Sequence, residues 1–249
     1  MPRNAEKNAE VRESRKKQIL DAALTVYIRF GYHGADMDIV AKEAGLAKGL
    51  VYYYYKSKKE LFSELLTWMF TESYLFSNTL LEKSKSMNPV EQLMYYTYNI
   101  FAANKINPRM MQFAIRVPFD AYAIFGPEQW QDGAKKSDLH RKALAQIIDN
   151  GIEQGFIPKP ESSSAANRFA NSSANSFASS FANSFWSVFV ANVFEYSKMM
   201  VGTQQPYESD LEIFRNVARF CFQGLGIEHS VWSSCLEKIV TINKHSYRE

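Results

Sequence analysis

Three amphipathic segments crowd into residues 10–54, and the turns between them are too short for anything but closely crossing helices. Ile19, Ala23, Val26, Tyr27 and Phe30 recur at helical spacing over residues 10–30, and Gly31 follows as a stop. Asp36 is a competent N-cap for a short helix running to Ala44, after which Gly45 supplies a left-handed turn. A third helix follows at once over residues 47–54. Ala41 is small enough to let the short helices cross closely, while Val40, Ala44, Leu46, Val51 and Tyr55 offer apolar surface to one shared core. Ser57 then caps a longer helix carrying Leu61, Phe62, Leu65, Leu66 and Met69. Two short helices around a glycine turn, behind a longer supporting helix, make a helix-turn-helix layout.

The rest of the chain continues in the same period. Helices are expected over 89–104, 108–119 and 137–155, each opened by a Pro, Ser or Asn signal, with no strand pattern between them. Residues 125–133 mix Gly, Pro and Trp without periodicity and read as a loop or a short irregular helix. Two further helices are expected over 208–226 and 229–242. Over residues 169–185 the sequence repeats FANS, SANS, FASS and FANS, a period of four. Four residues of helix turn through 400°, so Phe177, Phe181, Phe185 and Phe189 drift by about 40° per step and cannot form one straight buried stripe. This repeat reads either as a loose segment or as a long helix whose Ala and Ser rows allow close packing.

Charge separates the two ends of the molecule. Residues 1–60 hold 12 Lys and Arg against 8 Asp and Glu, whereas the remainder is nearly balanced. A basic N-terminal module fits phosphate binding, with Arg12, Arg15, Lys16 and Lys17 at the start of its first helix. Cys221 and Cys235 are too few for a disulfide framework and lack the spacing of a zinc site, which points to a reducing, cytoplasmic compartment. There is no run of about 18 apolar residues to cross a bilayer, and the charged N-terminus is not a secretory signal.

The segment FGYHGADMDIVAKEAGLAKGLVYYYYKSKKEL, residues 30–61, strongly resembles the DNA-binding signature of the TetR family of transcriptional regulators. It matches at Gly31 and Tyr32, at the turn frame of Val40, Ala41, Ala44 and Gly45, and along Lys48, Gly49, Tyr52, Lys56, Ser57, Lys58 and Leu61. The resemblance implies an all-α fold: a helix-turn-helix DNA-binding domain over residues 1–62, then a larger helical ligand-binding and dimerisation domain over 63–249. It also implies that Ala47, Lys48, Gly49, Leu50, Tyr53 and Tyr54 meet DNA, with Tyr52 and Lys58 on the backbone. Four consecutive tyrosines on a helix face four directions, so Tyr55 belongs to the core while Tyr52 and Tyr53 are free to reach a groove. Where the family often carries threonines this chain has Ala35 and Asp36, so a hydroxyl contact to phosphate is missing.

For the body the resemblance implies a homodimer through helices near 163–200 and 208–226, a palindromic double-stranded operator, and a small-molecule effector. The second of those helices is apolar on more than one side, with Leu211, Phe214, Ala218, Cys221, Phe222 and Leu225 on one stripe and Ile213, Val217 and Phe220 on another. Met and aromatic residues suit an adaptable apolar cavity. Met94, Tyr98, Phe101, Met111, Ile115, Arg116, Phe119, Tyr122, Phe181 and Phe185 are the expected ligand-binding residues, with Tyr98 and Arg116 as polar anchors. His33, His140, His229 and His245 are scattered, with no nucleophile, phosphate loop or metal-spaced cluster, so neither catalysis nor a cofactor nor a metal is implied. Asp132, Asp138 and His140 read as surface and capping residues. The Phe-rich repeat lacks the basic polar face of a membrane-surface helix.

Overall fold

The structure is a computed structural model that describes residues 2–159, 177–199 and 207–246. Among them the regular elements are all helices, in the order α1 (Pro2–Gly34), α2 (Met37–Ala44), α3 (Lys48–Tyr54), α4 (Lys58–Ser84), α5 (Pro89–Ile106), α6 (Arg109–Glu153), α7 (Phe177–Met199), α8 (Tyr207–Gly224) and α9 (His229–Ser246). The chain forms two compact units, one of Met1–Ser73 with Arg109–Lys135, the other of Tyr74–Pro108 with Lys136–Glu249. The expected domain boundary after residue 62 falls inside α4.

The first unit is built around α1. Ile19, Ala23, Val26 and Tyr27 point inward from it and pack with Val40, Ala41 and Ala44 of α2, Val51 of α3, and Phe62 and Leu66 of α4. Phe113, Val117, Ala121 and Ile124 of α6 complete this core, with Tyr27 packed between the Phe62 and Phe113 rings at 6.0 and 5.7 Å. The chain turns sharply at Gly31, whose φ of 68° is open to glycine at little cost. A Cβ added there would lie 2.8 Å from the Arg116 guanidinium. Arg116 uses that proximity to donate to the Ile28 carbonyl at 2.8 Å, satisfying one of the acceptors that a helix end leaves open.

The second unit is organised by α5, opened by a reciprocal capping box in which Asn88 and Glu91 bond each other's backbone. Val90, Leu93, Met94 and Phe101 are buried along it. Lys238 of α9 donates to Glu91 at 2.7 Å, and Tyr96 donates to Ser77 of α4 at 3.0 Å. On α7 the buried positions are Ala178, Ala182, Phe185, Phe189, Val193 and Tyr196. Their steps of four and three average to the helical period, giving a straight inward stripe that the four-residue repeat enters through its alanines before its phenylalanines. Phe181 is half-buried beside it.

One expectation needs correction. The helices foreseen over 108–119 and 137–155 are joined, because the segment 125–133 is helical as well and α6 is interrupted only by the positive φ of Gly126. Pro127 follows that break directly, a position at which a helix tolerates proline because the missing amide hydrogen has no partner to lose. The expected start of a helix at 163 and the repeat up to residue 176 lie outside the described residues, as do the side chains of Trp130, Asp132, Asp138 and His140. No described helix is long and apolar enough to cross a membrane.

Candidate nucleic-acid interface

Local chemistry fixes how α2 and α3 are presented. Asp36, extended at φ −137° and ψ 150°, caps α2 by accepting from the Asp38 amide at 2.7 Å. At the other end Gly45 is left-handed, and the Gly45 and Leu46 amides donate to the Lys42 and Ala41 carbonyls at 3.1 and 2.9 Å, which closes the turn tightly. Gln18 of α1 reaches across to the Ala44 carbonyl at 2.7 Å. Ion pairs Lys16–Glu64 and Arg29–Glu43, at 3.0 and 3.3 Å, brace α1 against α4 and α2.

Helix α3 has no side-chain cap, and Val51 is its buried anchor. Tyr55 just beyond it is completely buried, and burial with Glu64 nearby pushes its phenol well above the ordinary value. Of the residues expected to meet DNA, Tyr54 packs in part against this core. Ala47, Lys48, Gly49, Tyr52 and Tyr53 are exposed, with Tyr53 the most open at 64%. Leu50, Tyr54 and Lys58 are half-buried, Tyr54 standing edge-on to Tyr53 at 5.2 Å. A Cβ on Gly49 would meet nothing within 4 Å, so its role is to keep this surface low rather than to relieve a clash inside the protein.

Each lysine here sits over a ring. The Lys48, Lys56 and Lys58 ammoniums lie 5.7, 5.6 and 4.7 Å from the centroids of Tyr52, Tyr53 and Tyr32. Lys56 also donates to the Tyr53 carbonyl at 3.1 Å at the C-terminal end of α3, and Lys58 to the His33 carbonyl at 3.2 Å. Lys48 is held by Asp38 of α2 at 2.7 and 2.8 Å from its two oxygens, and this hydrogen bond raises the Lys48 pKa. Asp38 escaped sequence reasoning because it lies ten residues from its partner, and only the α2–α3 turn brings the two together.

The expected ligand-binding residues divide between the two units. Met94, Tyr98, Phe101 and Phe185 are buried in the second. There Phe101 stacks on Tyr196 at 4.8 Å and meets Phe214 at 5.2 Å, while Tyr98 stands edge-on to Phe214 at 5.3 Å. In the first unit Met111 is buried, Ile115 is half-buried, and Phe119 and Tyr122 are exposed. Arg116, expected as a polar anchor, donates to the Ile28 carbonyl and pairs with Asp120 at 3.9 Å. Asp120 in turn accepts from the Tyr32 amide at 3.3 Å.

Sequence reasoning also missed a buried polar group in the second unit. Asp210 of α8, 4% exposed, accepts from both Lys105 of α5 and Tyr196 of α7. One position before Lys105, the Asn104 amide is equally buried, and neither its nitrogen nor its oxygen has a hydrogen-bond partner among the described residues. Because a lone Asn or Asp gives no periodic signal, no spacing in the sequence singles out either one.

A braced helix pair that displays tyrosines and lysines, with Val51 as the buried anchor of its second helix, has the layout of helix-turn-helix DNA-binding regulators. Residues 19–65 match the family of bacterial regulatory proteins, tetR family. The HTH-type transcriptional regulator YhgD of Bacillus subtilis (strain 168) is 32% identical over 146 residues, which span 57% of this chain and 72% of that protein. The icaADBC negative regulator IcaR of Staphylococcus aureus (strain Newman) is 28% identical over 83 residues, 33% of this chain and 44% of IcaR. Among solved structures, AibR in complex with isovaleryl coenzyme A and operator DNA superposes with a TM-score of 0.61 at 16% identity, over 84% of this chain and 98% of AibR. The chain belongs to the TetR family of transcriptional regulators. These relatives are regulators rather than enzymes.

Proposed function

We propose that this regulator is a ligand-responsive repressor, bound as a homodimer to a palindromic operator and released when a small apolar or amphipathic effector occupies its body. Residues 1–62 read DNA, and residues 63–249 hold the effector and pair the subunits. The observation that carries this reading is the polarity of α3: Val51 is sealed in the core while Lys48, Gly49, Tyr52 and Tyr53 stand in the open. A helix presented this way fits a major groove about 12 Å wide. Ala47, Leu50 and Tyr54 flank the contact, and Lys58 with Tyr52 holds the phosphates.

Pairing through α7 and α8 is supported by apolar side chains left open on the single chain, Phe220 at 68% and Val188 at 40%. Two subunits so joined would set their heads about 34 Å apart, one turn of the duplex. For the effector, Met94, Tyr98 and Phe101 of α5, with Phe181 and Phe185 of α7, offer an apolar bed. Asn104 has an amide still able to both donate and accept. The acyl-CoA bound by AibR is an amphipathic molecule of the kind such a bed suits.

The test is footprinting of the full chain on duplex DNA flanking its own gene, with and without isovaleryl-CoA and longer acyl-CoAs. A protected palindrome that is lost on adding one of them is the expected result. Protection unchanged by every acyl-CoA removes that class of effector, and no protection at low salt removes the operator reading.

A further inference from the structure

We propose that Asp38 and Lys48 act as one reading unit for a single G·C base pair, with Asp38 as a specificity-determining residue of the interface. The inference rests on α3 being the helix that enters the groove. Lys48 Nζ lies 2.7 Å from Asp38 Oδ1 and 2.8 Å from Oδ2, and the two side chains remain 58% and 47% exposed. The Tyr52 ring lies against the ammonium, 5.7 Å from its centroid, so the lysine is held by two groups. Asp36, the nearest other carboxylate in sequence, is occupied in capping α2.

An ammonium has three donors, and two oxygens of one carboxylate use at most two of them. The third is left for a base edge, while Asp38 Oδ2 keeps a lone pair; Oδ1 is covered by the protein. A donor beside an acceptor is complementary to the major-groove edge of a G·C pair, where guanine offers N7 and O6 and cytosine offers the N4 amino group. An A·T pair placed the same way sets the adenine N6 amino group against the ammonium and the thymine O4 against the carboxylate, two mismatched contacts.

The carboxylate has a second effect. A bare lysine at the tip of a reading head attracts phosphate on any duplex, whereas the Asp38–Lys48 pair is neutral from a distance. Asp38 therefore suppresses sequence-independent binding and at the same time gives the lysine a fixed direction. A merely structural ion pair would do neither.

The experiment is selection of binding sites from a random-sequence duplex library by the full-length protein, its Asp38→Ala variant and its Lys48→Gln variant. Melting curves confirm that each variant is folded. Wild type is expected to fix one G·C pair per half-site by about tenfold or more over A·T. Asp38→Ala should reduce that preference below about threefold at that position alone, while its binding to random duplex tightens and its log–log salt slope steepens by about 0.9. Lys48→Gln should relax the same position without steepening the slope, so the proposal can be judged even if Asp38→Ala fails to fold. An Asp38→Ala motif identical to wild type, or one weakened evenly at all positions, would overturn the proposal alone. Failure of wild type to enrich any motif would overturn the groove reading of α3 with it.

Discussion

In the head, Asp36 caps α2, Arg116 takes the Ile28 carbonyl, and Asp120 accepts from the Tyr32 amide, so these polar groups serve the chain's own turns. The body treats polarity differently. Asp210 is buried with Tyr196 and paired with Lys105, and the Asn104 amide is buried with no hydrogen-bond partner among the described residues. Polar groups of the first kind fix a backbone geometry, which is what a surface that must match a regular duplex requires. Those of the second kind leave hydrogen-bonding capacity inside an apolar core, which under the proposed function would discriminate between effectors.

That contrast can be broken by mutation. The largest effect is expected from Phe101→Ala, which removes a buried ring packed against Tyr196 and Phe214 and should destabilise the body by about 3–5 kcal/mol in urea unfolding. A cost below about 1 kcal/mol would mean that the aromatic cluster is loosely packed. Gly31→Ala comes next, at about 2 kcal/mol, because a φ of 68° with ψ near 180° is a glycine conformation and the new methyl group would also displace Arg116. If the head rests on that turn, DNA affinity falls along with the melting temperature.

Smaller effects sharpen the picture of the head. Asp36→Ala should cost about 1 kcal/mol, the usual value of an N-cap, measured as a shift in melting temperature. Lys58→Ala should weaken binding to every duplex alike, flattening the salt slope by about 0.9 in gel-shift titrations, whereas Tyr53→Ala should alter which half-site is preferred. Equal losses on all sequences for both would contradict their separate roles. The smallest effect concerns Cys221, whose thiol burial pushes up to about 12. The unfolded chain ionises near the ordinary value of 9, so this thiol's contribution to stability is intact below pH 9 and is lost as the pH rises from 9 towards 12. At pH 8 it should therefore resist alkylation in the folded protein and react readily in urea.

Much of the head could be read directly from the sequence. Asp36, Gly45, Val51 and Tyr55 each carry a local signature, a cap, a left-handed turn or an inward position, whose meaning depends only on immediate neighbours. The same reasoning faltered on α6, where Gly126 and Pro127 resemble a loop yet interrupt the helix only briefly. It could not foresee Arg116 turning to α1, since the contact joins residues 88 positions apart. Asp38 was hidden for the same reason on a shorter scale. The body's polar centre was illegible because Asn104, Lys105, Tyr196 and Asp210 come from three helices, and no single stretch contains the arrangement.

The inward stripe of α7 has a consequence for how such a gene can change. Gain or loss of one four-residue unit turns the helix beyond it by only about 40° and moves it about 6 Å, leaving the same kinds of side chain near the core. A single-residue slip turns it by about 100° and carries Phe185 and Phe189 out toward water. A copying error of twelve nucleotides is therefore the kind such a helix tolerates best, whereas each further unit adds about another 40° and carries the stripe away from the core.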